Sequence, residues 1–205
     1  MQLVVDMNRI KNNIFVRGLY NLYKQYVGYR RADFGYIGEN VVIAAPIKIV
    51  NPKNVFLYED TRIDNAVLLC THAKFILKAH SGTAEGLRVS TGNHQRIVGR
   101  FYRSITEKEK PKGLDKDVIV ESDVWIGMNV TLLSGVTIGR GSTIAAGAVV
   151  NRSMPPYCVC GGVPCKPIKR IWRIDEILQH EAVLYPENER YTREQLEEVY
   201  AKYNM

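Results

Sequence analysis

Branched aliphatic residues recur at every sixth position from Val120 to Val150: Val120, Ile126, Leu132, Ile138, Ile144 and Val150. Two places before each stands a small or β-branched residue: Val118, Val124, Val130, Val136, Ser142 and Ala148. An amphipathic helix repeats near 3.6 and a lone strand at 2, so a period of six is neither. It is the period of a parallel β-helix, in which each hexad supplies a short strand and a corner. The aliphatic residue then points inward, and the small residue two places earlier also faces the interior near the corner. One hexad cannot bury its own face, so stability must come from stacked neighbours. A β-sandwich does not fit, because its strands alternate at two and turn about every 8–12 residues.

The same period begins earlier, at Ile37, Ile43 and Ile49, slips by two, and resumes at Leu57, Ile63 and Leu69. Pro46 and Pro52 suit bends between strands better than strand interiors. After Leu69 the register is less clear, and Gly82, Gly86 and Gly92 mark turns. Residues 95–117 break the repeat with a charged segment carrying Pro111, Gly99 and Gly113. An interruption of this length must leave the stack as a protruding loop, and such loops more often carry function than structure. The repeat then runs cleanly to Val150, and MPPYCVCGGVPCKPIKRI is expected to form the last coil.

The flanks follow another rule. Ile10, Ile14, Leu19, Leu22, Tyr23 and Tyr26 lie close to helical spacing and predict a helical cap over the end of the solenoid. In the tail, Ile174, Ile177 and Leu178 share a helical face. Thr192 and Gln195 form a capping-box pattern opening a short helix with Leu196, Val199 and Tyr200. The expected organisation is an N-terminal helical cap over 1–35, a β-helix over 36–170 with the loop 95–117, and a helical tail over 171–205.

Composition narrows the partners. The net charge of +7 favours anionic ligands, and the densest basic group is CKPIKRIWR at 165–173. No nucleic-acid motif is present, so no nucleic-acid partner is expected. No apolar run approaches the roughly 18 residues of a membrane span. The start, MQLVVDMNRIKNN, has an acid and no long apolar region, which argues against a signal peptide and for a cytoplasmic protein. Cys70, Cys158, Cys160 and Cys165 form no Cys-x-x-Cys pair, so reduced thiols are expected rather than a zinc ribbon.

The stretches VWIGMNVTLLSGVTIGRGSTIAAGAVV and GGVPCKPIKRI resemble the hexapeptide-repeat acyltransferases over roughly residues 37–170. The chain looks most like sugar O-acetyltransferases of the galactoside and maltose type. AKFILKAHSG, VSTGNHQ and EILQHEAVLYP look closer still to acetyltransferases of capsule and lipopolysaccharide clusters. The resemblance implies an all-β fold, a left-handed parallel β-helix, although crossovers between parallel strands are right-handed in about 98% of cases. It also implies a homotrimer with its active site between two subunits, and acetyl-coenzyme A as donor.

Acyl transfer to a weakly nucleophilic sugar hydroxyl needs a base, and histidine is suited to that task. His94 follows Thr-Gly-Asn at the mouth of the interrupting loop, the place of the catalytic histidine in the resembling family. His72, His80 and His180 read better as structural or surface residues, and their spacing matches no three-histidine metal site, so no metal is expected. The resemblance places Trp125 beside the pantetheine arm and Ala146 where exposed backbone would meet it. It places Asn151, Arg152, Lys166 and Lys169 near the nucleotide and its phosphates. Asn65 is carried over as a contact to the acceptor sugar, with Asp64 beside it. Met128 departs from the family's small polar residue, leaving backbone amides as the groups to stabilise an oxyanion. The expected function is acetyl-coenzyme A-dependent O-acetylation of a sugar in surface polysaccharide biosynthesis. The alternatives are N-acetylation of an amino sugar or xenobiotic, or a β-helix scaffold without catalysis.

Overall fold

The computed structural model describes residues 13–205, so the part of the predicted cap over residues 1–12, Ile10 included, lies outside the described residues. Among the described residues, sixteen short strands build three parallel stacks and a seventeenth joins the second of them antiparallel. The first sheet stacks β1 (Tyr36–Ile37), β4 (Val55–Leu57), β7 (Phe75–Leu77), β10 (Val118–Val120) and β13 (Thr137–Ile138). The second stacks β2 (Val42–Ala44), β5 (Arg62–Asp64), β8 (Gly82–Thr83), β11 (Trp125–Ile126), β14 (Thr143–Ile144) and β16 (Cys158–Gly161). The third stacks β3 (Lys48–Val50), β6 (Val67–Leu69), β9 (Arg88–Ser90), β12 (Thr131–Leu132) and β15 (Val149–Val150). The chain visits the three sheets in turn, the parallel coil that the repeat predicts and the left-handed β-helix that the resemblance implies, an all-β solenoid with helical ends.

The hexad rule holds residue by residue. All six aliphatics from Val120 to Val150 are buried, and so are the small residues two places before them. Where that small residue is a hydroxyl it ties corner to coil: Ser142 donates to the Pro155 carbonyl at 2.7 Å and accepts the Cys158 N–H at 3.1 Å. Each corner after the first sheet holds one residue in the left-handed region, from Asn40 through Asp60, His80, Asp123 and Gly141 to Tyr157. At Gly141 a Cβ would meet the Tyr157 ring at 2.2 Å, so the close approach of the next coil excludes any side chain there.

Two expectations need correction. Leu68, rather than Leu69, fills the interior: Leu68 stands in register with Ile49 and Val89, while Leu69 is exposed. The corner at Asn65 is one residue shorter than a hexad, so the column advances by five. The blurred stretch beyond it is in fact in register, because Leu77, Thr83 and Val89 occupy interior places and Thr83 is a buried polar residue there. The segment after Met154 adds only β16 to the parallel stack. β17 (Lys166–Arg170) then turns back antiparallel to it.

The N-terminal helix α1 (Ile14–Tyr26) is capped by the Asn13 side chain, which accepts from the Phe15 and Val16 amides. It meets the first coil through its polar side, with the Gln25 carbonyl accepting the Ile47 N–H at 2.9 Å. Its apolar side is turned outward, the reverse of an ordinary end cap.

The tail is pinned by a buried carboxylate. Helices α2 (Ile174–Leu184) and α3 (Arg193–Ala201) pack together, the latter opened by the predicted Thr192–Gln195 capping box. Glu181, fully buried on α2, accepts the Tyr157 hydroxyl at 2.8 Å, the Arg140 guanidinium at 3.1 Å and the Tyr191 amide at 2.6 Å. Arg140 in turn lies 4.1 Å over the Tyr185 ring. Removing one partner of a buried ion pair leaves the other uncompensated, typically at a cost of about 3–5 kcal/mol. Glu181→Ala should therefore destabilise the protein by about that much in denaturant titrations. A loss below about 0.5 kcal/mol, the scale of an ordinary surface substitution, would show the network to be dispensable.

Candidate functional site

The candidate residues fall on two different corners of the coil. The first is the corner after the third sheet, where the chain leaves β9. Thr91 is buried and donates its hydroxyl to the Ala73 carbonyl at 3.0 Å, ending the strand firmly. His94 follows, exposed, with its ring edge-on to Tyr102 at 5.2 Å between centroids. Arg96 lies 5.2 Å above the same ring. Asn151 and Arg152 leave the third sheet at the same corner two coils away, after β15, at about 10 Å along the axis by the usual strand spacing. Both are exposed.

The loop that carries His94 is closed at its base by residues that sequence reasoning did not single out. Asp115 accepts the Asn93 amide at 2.7 Å, the Lys110 ammonium at 2.7 Å and His72 Nδ1 at 3.1 Å. Ser134 accepts the Lys116 amide at 3.0 Å and donates to the Thr91 carbonyl at 2.8 Å. Within the loop, Arg100 pairs with Glu109, whose carboxyl is held down to about 2 by that guanidinium and by the Thr106 amide and hydroxyl. Between β9 and β10 this segment carries two short 3₁₀ turns, at Tyr102–Ser104 and Glu107–Glu109. A lone aspartate in a charged loop carries no sequence signal of such a role.

The second corner follows the second sheet. Trp125 is 51% exposed on β11 and its ring lies over Gly82, where a Cβ would stand 3.4 Å from it. The next residues turn the corner with little side chain. A Cβ on Gly127 would meet the Ala146 backbone nitrogen at 2.7 Å, and Gly147 takes a φ of +72°. The Gly147 amide donates to the Met128 carbonyl at 2.8 Å. Ala146 and Met128 are both exposed, so this stretch presents bare backbone beside one thioether. Asn65 sits on the same corner, left-handed at φ +40°, and its carbonyl accepts the Gly86 amide at 2.8 Å. Beside it, Asp64 pairs with Arg62 at 2.9 Å through one oxygen, while its Oδ1 is buried without a partner. Lys166 and Lys169 extend the corner's basic end on β17, both exposed.

One chain therefore does not bring all the candidates together. His94, Asn151 and Arg152 share one corner; Trp125, Ala146, Asn65, Lys166 and Lys169 share the second sheet and its far corner. Cysteine nucleophiles are not part of either. All four thiols are buried and free, and burial pushes those of Cys70 and Cys158 up to about 12. Among the described residues no cluster of three metal-ligating side chains occurs.

Residues 117–152 match the bacterial transferase hexapeptide family, six repeats. That stretch carries hexapeptide repeats and lies within the β-helix. A relative named "Probable macrolide acetyltransferase", from Lysinibacillus sphaericus, is 34% identical over 104 residues, 51% of this chain. The chain spans 56% of that relative's length. The fold matches a hexapeptide-repeat acetyltransferase of Vibrio cholerae solved with acetyl-coenzyme A, with a TM-score of 0.62 and 22% identity. That match covers 79% of this chain and 92% of the other. It also matches a maltose O-acetyltransferase of Clostridium difficile 630, with a TM-score of 0.60 and 24% identity, covering 82% and 90%.

Burial raises the Asp115 carboxyl, but Lys110, the Asn93 amide and His72 outweigh it and hold it below its ordinary value. A depressed carboxyl adds stability above its unfolded value near 3.9, and the contribution fades as pH falls through the folded value. Asp115→Ala should remove about 1.5–3 kcal/mol of local stability and speed tryptic cleavage within the loop at least about tenfold at neutral pH. The parent loop should loosen in the same way only in acid. Equal cleavage of variant and parent at neutral pH would remove Asp115 from this role.

Proposed function

We propose that the protein is an acetyl-coenzyme A-dependent O-acetyltransferase acting on a sugar hydroxyl, in the cytoplasm, as a homotrimer serving surface polysaccharide synthesis. The observation that carries this reading is the pairing of an exposed histidine, held at the mouth of a braced loop, with a bare-backbone corner ending in lysines. The exposed backbone beside Gly127 and Ala146, which carries no side chain larger than a methyl at those two positions, suits an extended, amide-bearing arm. Lys166 and Lys169 would meet the phosphates at its far end, and Trp125 would flank it.

The two corners become one site when the His94 corner of one copy faces the Ala146 corner of the next. His94 and Arg152 would then come from one subunit, and Trp125, Ala146 and Asn65 from its neighbour. In the reaction His94 takes the proton of the sugar hydroxyl as its oxygen bonds to the thioester carbonyl carbon. Collapse of the tetrahedral adduct breaks the carbon–sulfur bond, and the departing thiolate receives that proton from His94. Backbone amides are the groups available to stabilise the oxyanion, since Met128 offers no donor.

A general-base histidine is worth about 10²–10⁴-fold in rate. His94→Ala should lower thiol release from acetyl-coenzyme A by about that factor, while coenzyme A still raises the melting temperature. Retained turnover in this variant would overturn the assignment. The macrolide acetyltransferase relative keeps a xenobiotic acceptor in view, and an amine acceptor would need the same base. A panel of sugars, amino sugars and macrolides separates these acceptors. Absence of any stabilisation by acetyl-coenzyme A would favour a scaffold without catalysis.

A further inference from the structure

Helix α1 is mounted with its faces reversed. At 3.6 residues per turn, Phe15, Leu19, Leu22, Tyr23, Tyr26 and Val27 share one face, and Arg17, Asn21, Lys24 and Gln25 the opposite one. The polar side is the one turned to the coil. There Lys24 and Gln25 are half-buried, the Gln25 main-chain carbonyl accepts the Ile47 amide at 2.9 Å, and Lys24 Nζ closes the end of the helix on the Gly28 carbonyl at 2.8 Å. The following Tyr29 fixes the exit, its hydroxyl accepting the Ile49 amide at 2.9 Å and donating to the Ile49 carbonyl at 3.2 Å. The apolar side is left in the open: Phe15 is 72% exposed, Leu19 54%, Tyr26 55% and Val27 71%. A contiguous apolar face of this kind marks a contact surface.

The charge around it selects the occupant. From Met7 to Ala32 the chain carries Arg9, Lys11, Arg17, Lys24, Arg30 and Arg31 and no aspartate or glutamate. The net charge that is spread through the rest of the chain is of one sign here. A second copy docked face to face would bring two such cationic segments together, which electrostatics opposes. An anionic bilayer surface is complementary on both counts. Its acyl boundary takes leucine and phenylalanine, its headgroup level suits tyrosines such as Tyr20, Tyr23 and Tyr26, and its phosphates attract arginine and lysine. No described helix is long and apolar enough to cross a membrane, so the contact would be peripheral. We propose that helix α1 is an interfacial anchor that lays the protein on an anionic lipid surface. The proposal is independent of the acyl-transfer reading.

The test is co-sedimentation of the full chain with vesicles of phosphatidylglycerol and phosphatidylcholine in equal parts, against vesicles of phosphatidylcholine alone. Binding to the anionic vesicles is expected, weakening as salt is raised. Leu19→Glu with Tyr23→Glu should reduce it at least about tenfold, since each buried apolar side chain is worth about that much. Arg17→Gln with Arg30→Gln should weaken it and flatten its salt dependence. All four positions are exposed, so circular dichroism and thiol release with a soluble acceptor should match the parent. Failure to bind, equal binding to both vesicles, or an unchanged double-glutamate variant would overturn the proposal. So would a fall in oligomer size in that variant without lipid binding, which would assign the face to a second copy.

Discussion

The structure depends on hydrogen bonds between coils. Most strands are only two or three residues long, so none can satisfy its backbone alone; each amide reaches its partner on the coil before or after. That requirement fixes the interior as three columns of aliphatics and forces the corners into the left-handed region at regular intervals. His94, Asn151, Arg152, Asn65 and Ala146 lie at corners, because a corner can expose bare backbone or release a loop without breaking the columns, whereas Trp125 stands on β11 and Lys166 and Lys169 on β17.

The two kinds of corner do different work. At Gly127 the Ala146 backbone comes so close that no side chain fits, which leaves a strip of exposed peptide groups. At Thr91 the corner opens into a loop, and the loop needs its own bracing from Asp115, Lys110 and Ser134. Glu181 does for the tail what Asp115 does for the loop, tying an appended element to the coil through one carboxylate with three partners. In both cases local ionic and hydrogen-bonded anchors attach what the repeat cannot hold.

The coil was legible because its interior is a file of single aliphatics, and a period of six is hard to mimic. Leu68 was misread as Leu69 because a one-residue shortening at the Asn65 corner leaves two adjacent leucines competing for one place. Thr83 hid the register because a polar residue occupies an interior position. His94 was legible from its position at the break in the repeat and from family resemblance. Asp115 and Glu181 were not, since acidic residues in a charged loop or an amphipathic helix look like surface until their partners are placed. The outward apolar face of α1 was equally hidden: periodicity reveals that a helix has two faces and is silent on which one the protein covers.

The claim that joins these elements is that the site is shared between copies, with His94 on one and Ala146 on the next. It is tested most directly by co-assembling two inactive chains, one His94→Ala and one Ala146→Trp. In mixed oligomers some interfaces would join the intact His94 corner of one chain to the intact Ala146 corner of the other. For random mixing in equal parts the account predicts a return to about a quarter of the parent activity, since each interface draws its two corners independently. No recovery in assemblies shown to be mixed would contradict it and place the whole site within one chain.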